Sequence, residues 1–198
     1  MSGIARFAVL TAALLPLFGA LSSSVSATTW HNAGGTNFTA TGGFGTLSVT
    51  GAQLRWTGWD MTGNAPTLST ALTYTIAGNS TITGFTISGI PFSPSCGYTI
   101  TLTNAALNHV FTGNMDLTCS IADTSGTKVC HLEGLTPVHY RNAETGLAAQ
   151  LTLTTSTTLR LTNGGAGVNC PLGAGEATHM TQQTFNVTSS PAPTIVRT

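Results

Sequence analysis

Side chains able to do chemistry are scarce in this chain, and they crowd into one stretch. His131-Leu-Glu133 is followed shortly by His139-Tyr-Arg141-Asn-Ala-Glu144. On a strand, His131 and Glu133 share a face, and a turn at Thr136-Pro137 would bring His139 alongside them. Two imidazoles and a carboxylate can ligate zinc or work as an acid–base pair. No H-E-x-x-H or comparable spacing accompanies them, and they are among the few charges available to the whole surface. Solvated or salt-paired residues are therefore the plainer reading. A secreted hydrolase or metalloprotein using His131, Glu133 and His139 is kept as an alternative, and no cofactor is implied.

A second constellation is Arg55-Trp-Thr-Gly-Trp-Asp60, with Trp30 upstream. Exposed indoles at Trp56 and Trp59 would stack on sugar rings, and Asp60 would bond hydroxyls, as in a glycan-binding, lectin-like module. Large aromatic rings also anchor cores, and the core is the plainer reading here too. Thr-x-Thr pairs at Thr73/Thr75, Thr81/Thr83, Thr101/Thr103 and Thr152/Thr154 evoke an ice-binding face. Such faces need flat stacked ranks, whereas sheets twist, and no fixed repeat is present. Neither G-x-S-x-G nor a Walker-type loop occurs, and the carboxylates are too scattered to nominate a glycosidase pair. Asn37-Phe-Thr39, Asn79-Ser-Thr81 and Asn186-Val-Thr188 match the glycosylation triplet by chance in so Asn- and Thr-rich a chain.

The elements that must position these residues are short strands. Alternation recurs in Thr46–Leu54, in Gly97–Thr103 (Tyr98, Ile100 and Leu102 on one face), in Gln150–Thr154 and in Thr158–Thr162. Further candidates are Ala71–Ile76, Thr81–Ile90, His109–Leu117, Val129–Leu132, Val138–Asn142 and Met180–Val187. Each is bounded by Gly, Asn, Pro or Ser, and turns are expected at Ala77-Gly-Asn-Ser80 and Asn163-Gly-Gly-Ala-Gly167. The pattern predicts an all-β, antiparallel sandwich or barrel.

Residues 1–27 read as a secretory signal peptide: Arg6 supplies the basic region, Phe7–Leu21 the apolar one, and Val25-Ser26-Ala27 the small-x-small cleavage site. About 15 apolar residues fall short of the ~20 that span a bilayer. Cleavage leaves a single domain over 28–188 and a short tail over 189–198, secreted or associated with the cell envelope. Four cysteines outside the cytoplasm predict two disulfides. Cys119 and Cys130 bracket an Asp-Thr-Ser-Gly turn, which favours Cys119–Cys130 and leaves Cys96–Cys170.

Charged residues make up 6% of the chain, against about 25% in a typical soluble domain. Loss of Arg6 with the leader takes the net charge from 0 to about −1. That surface offers no counterion-release drive toward nucleic acid and no polybasic patch for anionic lipid. No membrane span is expected in the mature chain, and a cell-wall or extracellular glycan is the partner class that remains.

Thr81-Ile-Thr-Gly-Phe-Thr-Ile-Ser-Gly-Ile90 leading into Cys96, and Asn169-Cys-Pro-Leu-Gly-Ala-Gly-Glu176 before the closing strand Met180–Val187, carry a family resemblance. The chain resembles small exported actinobacterial all-β proteins of unassigned function. That resemblance implies an exported β domain and brings no catalytic residues to transfer. The expectation is an exported structural or binding module that is not an enzyme.

Overall fold

The computed structural model describes residues 29–69, 72–105, 109–164, 170 and 175–198, excluding the Lys128 side chain. The proposed leader, 1–27, and most of the Asn163–Gly167 turn lie outside the described residues. Eight strands build the main body: β2 (Asn37–Gly42), β5 (Gly58–Asn64), β7 (Tyr74–Thr83), β10 (Ser93–Ala105), β11 (Val110–Ala122), β12 (Lys128–Arg141), β13 (Gln150–Leu153) and β16 (Gln183–Val187). Each pairs antiparallel with the next, and β16 returns to β2, so the ring follows chain order and closes as an up-and-down barrel. The alternating strands favour a barrel over a sandwich because closure leaves no unpaired edge in the ring.

The remaining strands are excursions from the two ends. At one end β3 (Gly45–Val49), β4 (Ala52–Trp56), β8 (Thr86–Ile87), β9 (Ile90–Pro91), β14 (Arg160–Asn163) and β15 (Gly175–Met180) join into a sheet hung on the first half of β12. At the other end β1 (Trp30–Asn32), β6 (Leu68–Ser69) and β17 (Ile195–Arg197) form a three-stranded cap, in the order β17-β1-β6.

Inward positions are mainly apolar, with Ser80, Thr136 and Gln183 buried among them, and outward ones mostly carry hydroxyl, amide or carboxylate groups. Phe38, Met61, Ile76, Ile100, Leu117, Val138, Leu151 and Phe185 are buried, while Thr62, Asn79, Thr81, Thr99, Asn114 and Asp116 between them are exposed. This is the reverse of a lipid-embedded barrel, whose outer band is apolar. An eight-stranded ring encloses a space that side chains fill, and here aromatic rings do so: Phe38 lies 6.4 Å from both Tyr98 and Tyr140.

A close approach between β5 and β7 explains a turn that did not form. Ala77-Gly-Asn-Ser80 lies inside β7, with Gly78 opposite Gly63 and next to Tyr98. A Cβ at Gly78 would stand 1.9 Å from the Thr62 carbonyl oxygen, and one at Gly63 would stand 2.5 Å from the Tyr98 hydroxyl. Glycine here marks a close approach within a strand. Gly78→Ala is expected to cost about 3 kcal/mol, since the backbone of β5 must move; a urea unfolding curve measures it. The Tyr98 hydroxyl itself is buried with no hydrogen-bond partner among the described residues, and burial pushes its pKa upward. Tyr98→Phe is accordingly expected to raise stability by about 1 kcal/mol, because an unsatisfied buried hydroxyl costs ~1–3 kcal/mol. A drop in melting temperature would contradict this.

Other differences have equally local causes. Thr46–Leu54 is two strands, not one, because Gly51 at φ 85° turns β3 into β4. Val129–Leu132 and, except for its last residue Asn142, Val138–Asn142 belong to the single strand β12, so no turn forms at Thr136-Pro137. Pro137 falls after the β14 pairing ends at Glu133 and before the β13 pairing begins at Val138, where its missing N–H breaks neither ladder. The segment read as a tail, 189–198, carries β17, paired with β1 and with Ile195 buried.

The disulfides are Cys96–Cys119 and Cys130–Cys170, with Cα separations of 4.0 and 4.7 Å. Cys119–Cys130 and Cys96–Cys170 are therefore corrected. The Asp123 turn does form, its carboxylate accepting from the Ser125 hydroxyl and amide and the Thr127 amide; these bonds, that of the Ser125 hydroxyl foremost, lower its pKa. The register of the hairpin sets Cys119 opposite Leu132 and Cys130 opposite Ile121. The two cysteines are thus out of step, while Cys96 faces Cys119 directly across β10–β11.

Candidate functional site

The tryptophans belong to the core. Trp56 and Trp59 are 3% and 2% exposed, packed edge to face at 5.5 Å, and Trp59 meets Phe185 in the same way at 5.4 Å. Neither indole can stack on a sugar, which removes the lectin-like reading built on them. Asp60 points outward on β5, away from both rings, between Thr41 and Thr81.

His131, Glu133 and His139 share the outer face of β12 but do not converge. Eight residues of continuous strand separate the histidines, about 26 Å at ~3.3 Å per residue. His131 sits between Ser120 and Thr162, and His139 between Thr112 and Thr152. Glu133 instead meets Arg160, whose Nε lies 3.9 Å away. Among the described residues, no group of three His, Cys, Asp or Glu side chains could hold a metal ion.

The open depressions that gather polar groups include three of note. One, of about 390 Å³, crosses β7, β10 and β11, floored by Gly78 and Gly97 and walled by Thr99, Asp116 and Thr118. A second, of about 250 Å³, lies between Arg160, Thr162 and Glu176 on β14 and β15. The third lies beside the cap, where His109, Phe111, Asn142 and Arg197 line about 380 Å³. There the Arg197 guanidinium stacks 5.2 Å over Trp30. His109 takes φ 58° at the start of the β11 hairpin arm, a conformation that histidine tolerates better than most residues.

Cross-strand register links the first two depressions. Gly97 stands opposite Thr118, Thr118 opposite Glu133, Glu133 opposite Arg160, and Arg160 opposite Glu176. Asp116, Glu133 and Glu176, three of the chain's six acids, fall on or beside this row. Sequence reasoning singled out only Glu133 among them. The residues come from five strands far apart in the chain, and only the pairing register assembles them.

Fold and surface together define a disulfide-bonded, closed antiparallel β-barrel with a filled interior and a hydroxyl-rich exterior. Comparison with protein-family models, with curated proteins and with solved structures returns no match for this chain.

Proposed function

We propose that the chain is an exported, extracellular or cell-envelope-associated structural and binding module, and that its partner is a neutral polyhydroxylated polymer such as a wall glycan. One observation carries this reading: outward positions around the barrel wall present Thr, Asn and Ser in lateral ranks. Thr39, Thr62 and Asn79 stand side by side across β2, β5 and β7, and Thr188 bonds Thr39 across from β16. Hydroxyl and amide groups both donate and accept, which suits sugar hydroxyls better than it suits polyanions. Two disulfides and the leader-like first 27 residues support an oxidising destination.

The test is retention of the purified mature protein on insoluble cell-wall polysaccharide, peptidoglycan, chitin and cellulose at low and high salt. Retention on at least one, unchanged by salt, is expected, because neutral hydrogen bonding is not screened as ion pairs are. Retention on none, or retention that salt abolishes, overturns the reading.

A further inference from the structure

The two depressions joined by the row from Gly97 to Glu176 carry a more specific conclusion, which rests on the glycan-binding reading above. We propose that this row is a saccharide track, on which a linear polyhydroxylated chain lies across the strands of β10, β11, β12, β14 and β15. Four inter-strand steps of ~4.8 Å give it a length of about 19 Å.

Gly97 is the first argument. Gly78 has a packing reason to be glycine, as shown above, but Gly97 has none. Its side-chain position faces outward, and among the described residues a Cβ there would meet only the Gly78 carbonyl oxygen, at 3.8 Å. Its φ lies outside the left-handed region. Glycine in mid-strand weakens a sheet and often marks a bulge, a tight bend or a place where a ligand or another backbone approaches closely. Here it opens a notch in the rank between Asn79 and Thr118, its neighbours on β7 and β11.

The second argument is the chemistry of the walls. Asp116 and Thr118 are exposed beside the notch, and no hydrogen bond among the described residues engages either side chain. Further along, Arg160 stands between Glu133 and Glu176, with the Glu133 carboxylate 3.9 Å from its Nε. Carboxylates accept from hydroxyl pairs, and the planar guanidinium donates in a fixed fork. The row thus alternates acceptors and donors over the length of an extended polymer. The missing side chain at Gly97 lets a pyranose ring approach the sheet itself.

The experiment titrates the isotope-labelled mature domain with soluble cellotetraose and chitotetraose, and separately with a lysine-rich peptide, following backbone amide shifts. Shifts centred on Ala77–Asn79, Gly97–Thr99, Asp116–Thr118, Arg160 and Glu176 with at least one saccharide are expected. Gly97→Thr, which fills the notch with a strand-favouring residue, and Asp116→Asn should each weaken that binding about tenfold. Melting temperature should be unchanged or, for Gly97→Thr, raised. Saccharide shifts that map elsewhere, or variants that bind as the parent does, overturn the track. If the parent and both variants are retained equally on wall polymer, the track is wrong and the glycan-binding reading stands. If the parent is neither retained nor shifted, both fail. Shifts on the row with the basic peptide alone overturn the saccharide assignment.

Discussion

A chain ending at Thr188 is expected to lose its native barrel, although only ten residues have gone. The removed segment is held by side chains rather than by sheet pairing alone. The Asn142 carboxamide accepts from the Ile195 amide at 2.8 Å and donates to its carbonyl at 2.7 Å, standing in for a neighbouring strand. Asn32 accepts from the Thr194 amide at 2.8 Å while its amide group bonds the Gly35 and Ala65 carbonyls. The Tyr140 hydroxyl donates to Pro193 at 2.7 Å. Truncation leaves these buried groups without partners at roughly 1–3 kcal/mol each. It also uncovers the apolar surface beneath Ile195, about 2 kcal/mol more, and strips β1 of one of its two neighbours.

The sum is on the order of 5 kcal/mol or above, against total stabilities of roughly 5–15 kcal/mol for whole domains. Near-UV circular dichroism and urea unfolding of the truncated chain measure it directly. Asn142→Leu should show about 2–4 kcal/mol of the same effect, since it leaves the Ile195 amide and carbonyl unpaired. A truncated chain that melts within a few degrees of the full-length protein would show that the clamps contribute little.

That segment also shows where sequence reading stops. Ser189-Ser-Pro-Ala-Pro193 has the composition of a domain end, and nothing local reveals that Asn32 and Asn142, distant in the chain, bind beyond it. Strand existence was legible wherever one face is buried: Tyr98, Ile100 and Leu102 alternate in sequence and are all buried in the barrel. Strand extent was less so. Gly78 and Pro137 resemble punctuation, but the first makes room for the backbone of β5 and the second falls in a gap between two pairings. Register was not legible at all, because it is set by which faces meet across the closed ring.

The candidate site suffered most from this. Proximity along the chain grouped His131 with His139 and Trp56 with Asp60, whereas a strand separates what lies along it and joins what lies across it. The row from Gly97 to Glu176 is assembled entirely by pairing across strands. Its components have no common sequence neighbourhood, and only Glu133 drew attention beforehand.

Register likewise decides the disulfides, and trypsin separates the two pairings without ambiguity. Cleavage after Arg55, Lys128, Arg141, Arg160 and Arg197 places Cys96 and Cys119 in one peptide, Cys130 in a second and Cys170 in a third. With the structural pairing, a denatured non-reduced digest yields the first peptide closed on itself, and the other two joined. Pairing of Cys119 with Cys130 would instead link all three into one species, which would refute the register of β10 and β11. The bridges also differ in what they restrain. Cys96–Cys119 spans 23 residues within strands already paired, whereas Cys130–Cys170 spans 40 and ties β12 to the chain beyond β14. Loop-closure entropy assigns about 3 kcal/mol to the first and about 4 kcal/mol to the second. The double variant Cys130→Ser/Cys170→Ser is therefore expected to lose about 4 kcal/mol, with a steeper urea dependence as its denatured state expands. The sheet carrying Arg160 and Glu176 should loosen first, because among the described residues β14 is paired only through short ladders to β12 and β15. Hydrogen exchange of the Leu161 and Ala177 amides reads that loosening, and protection equal to the parent's would show that the bridge does not hold this sheet in place.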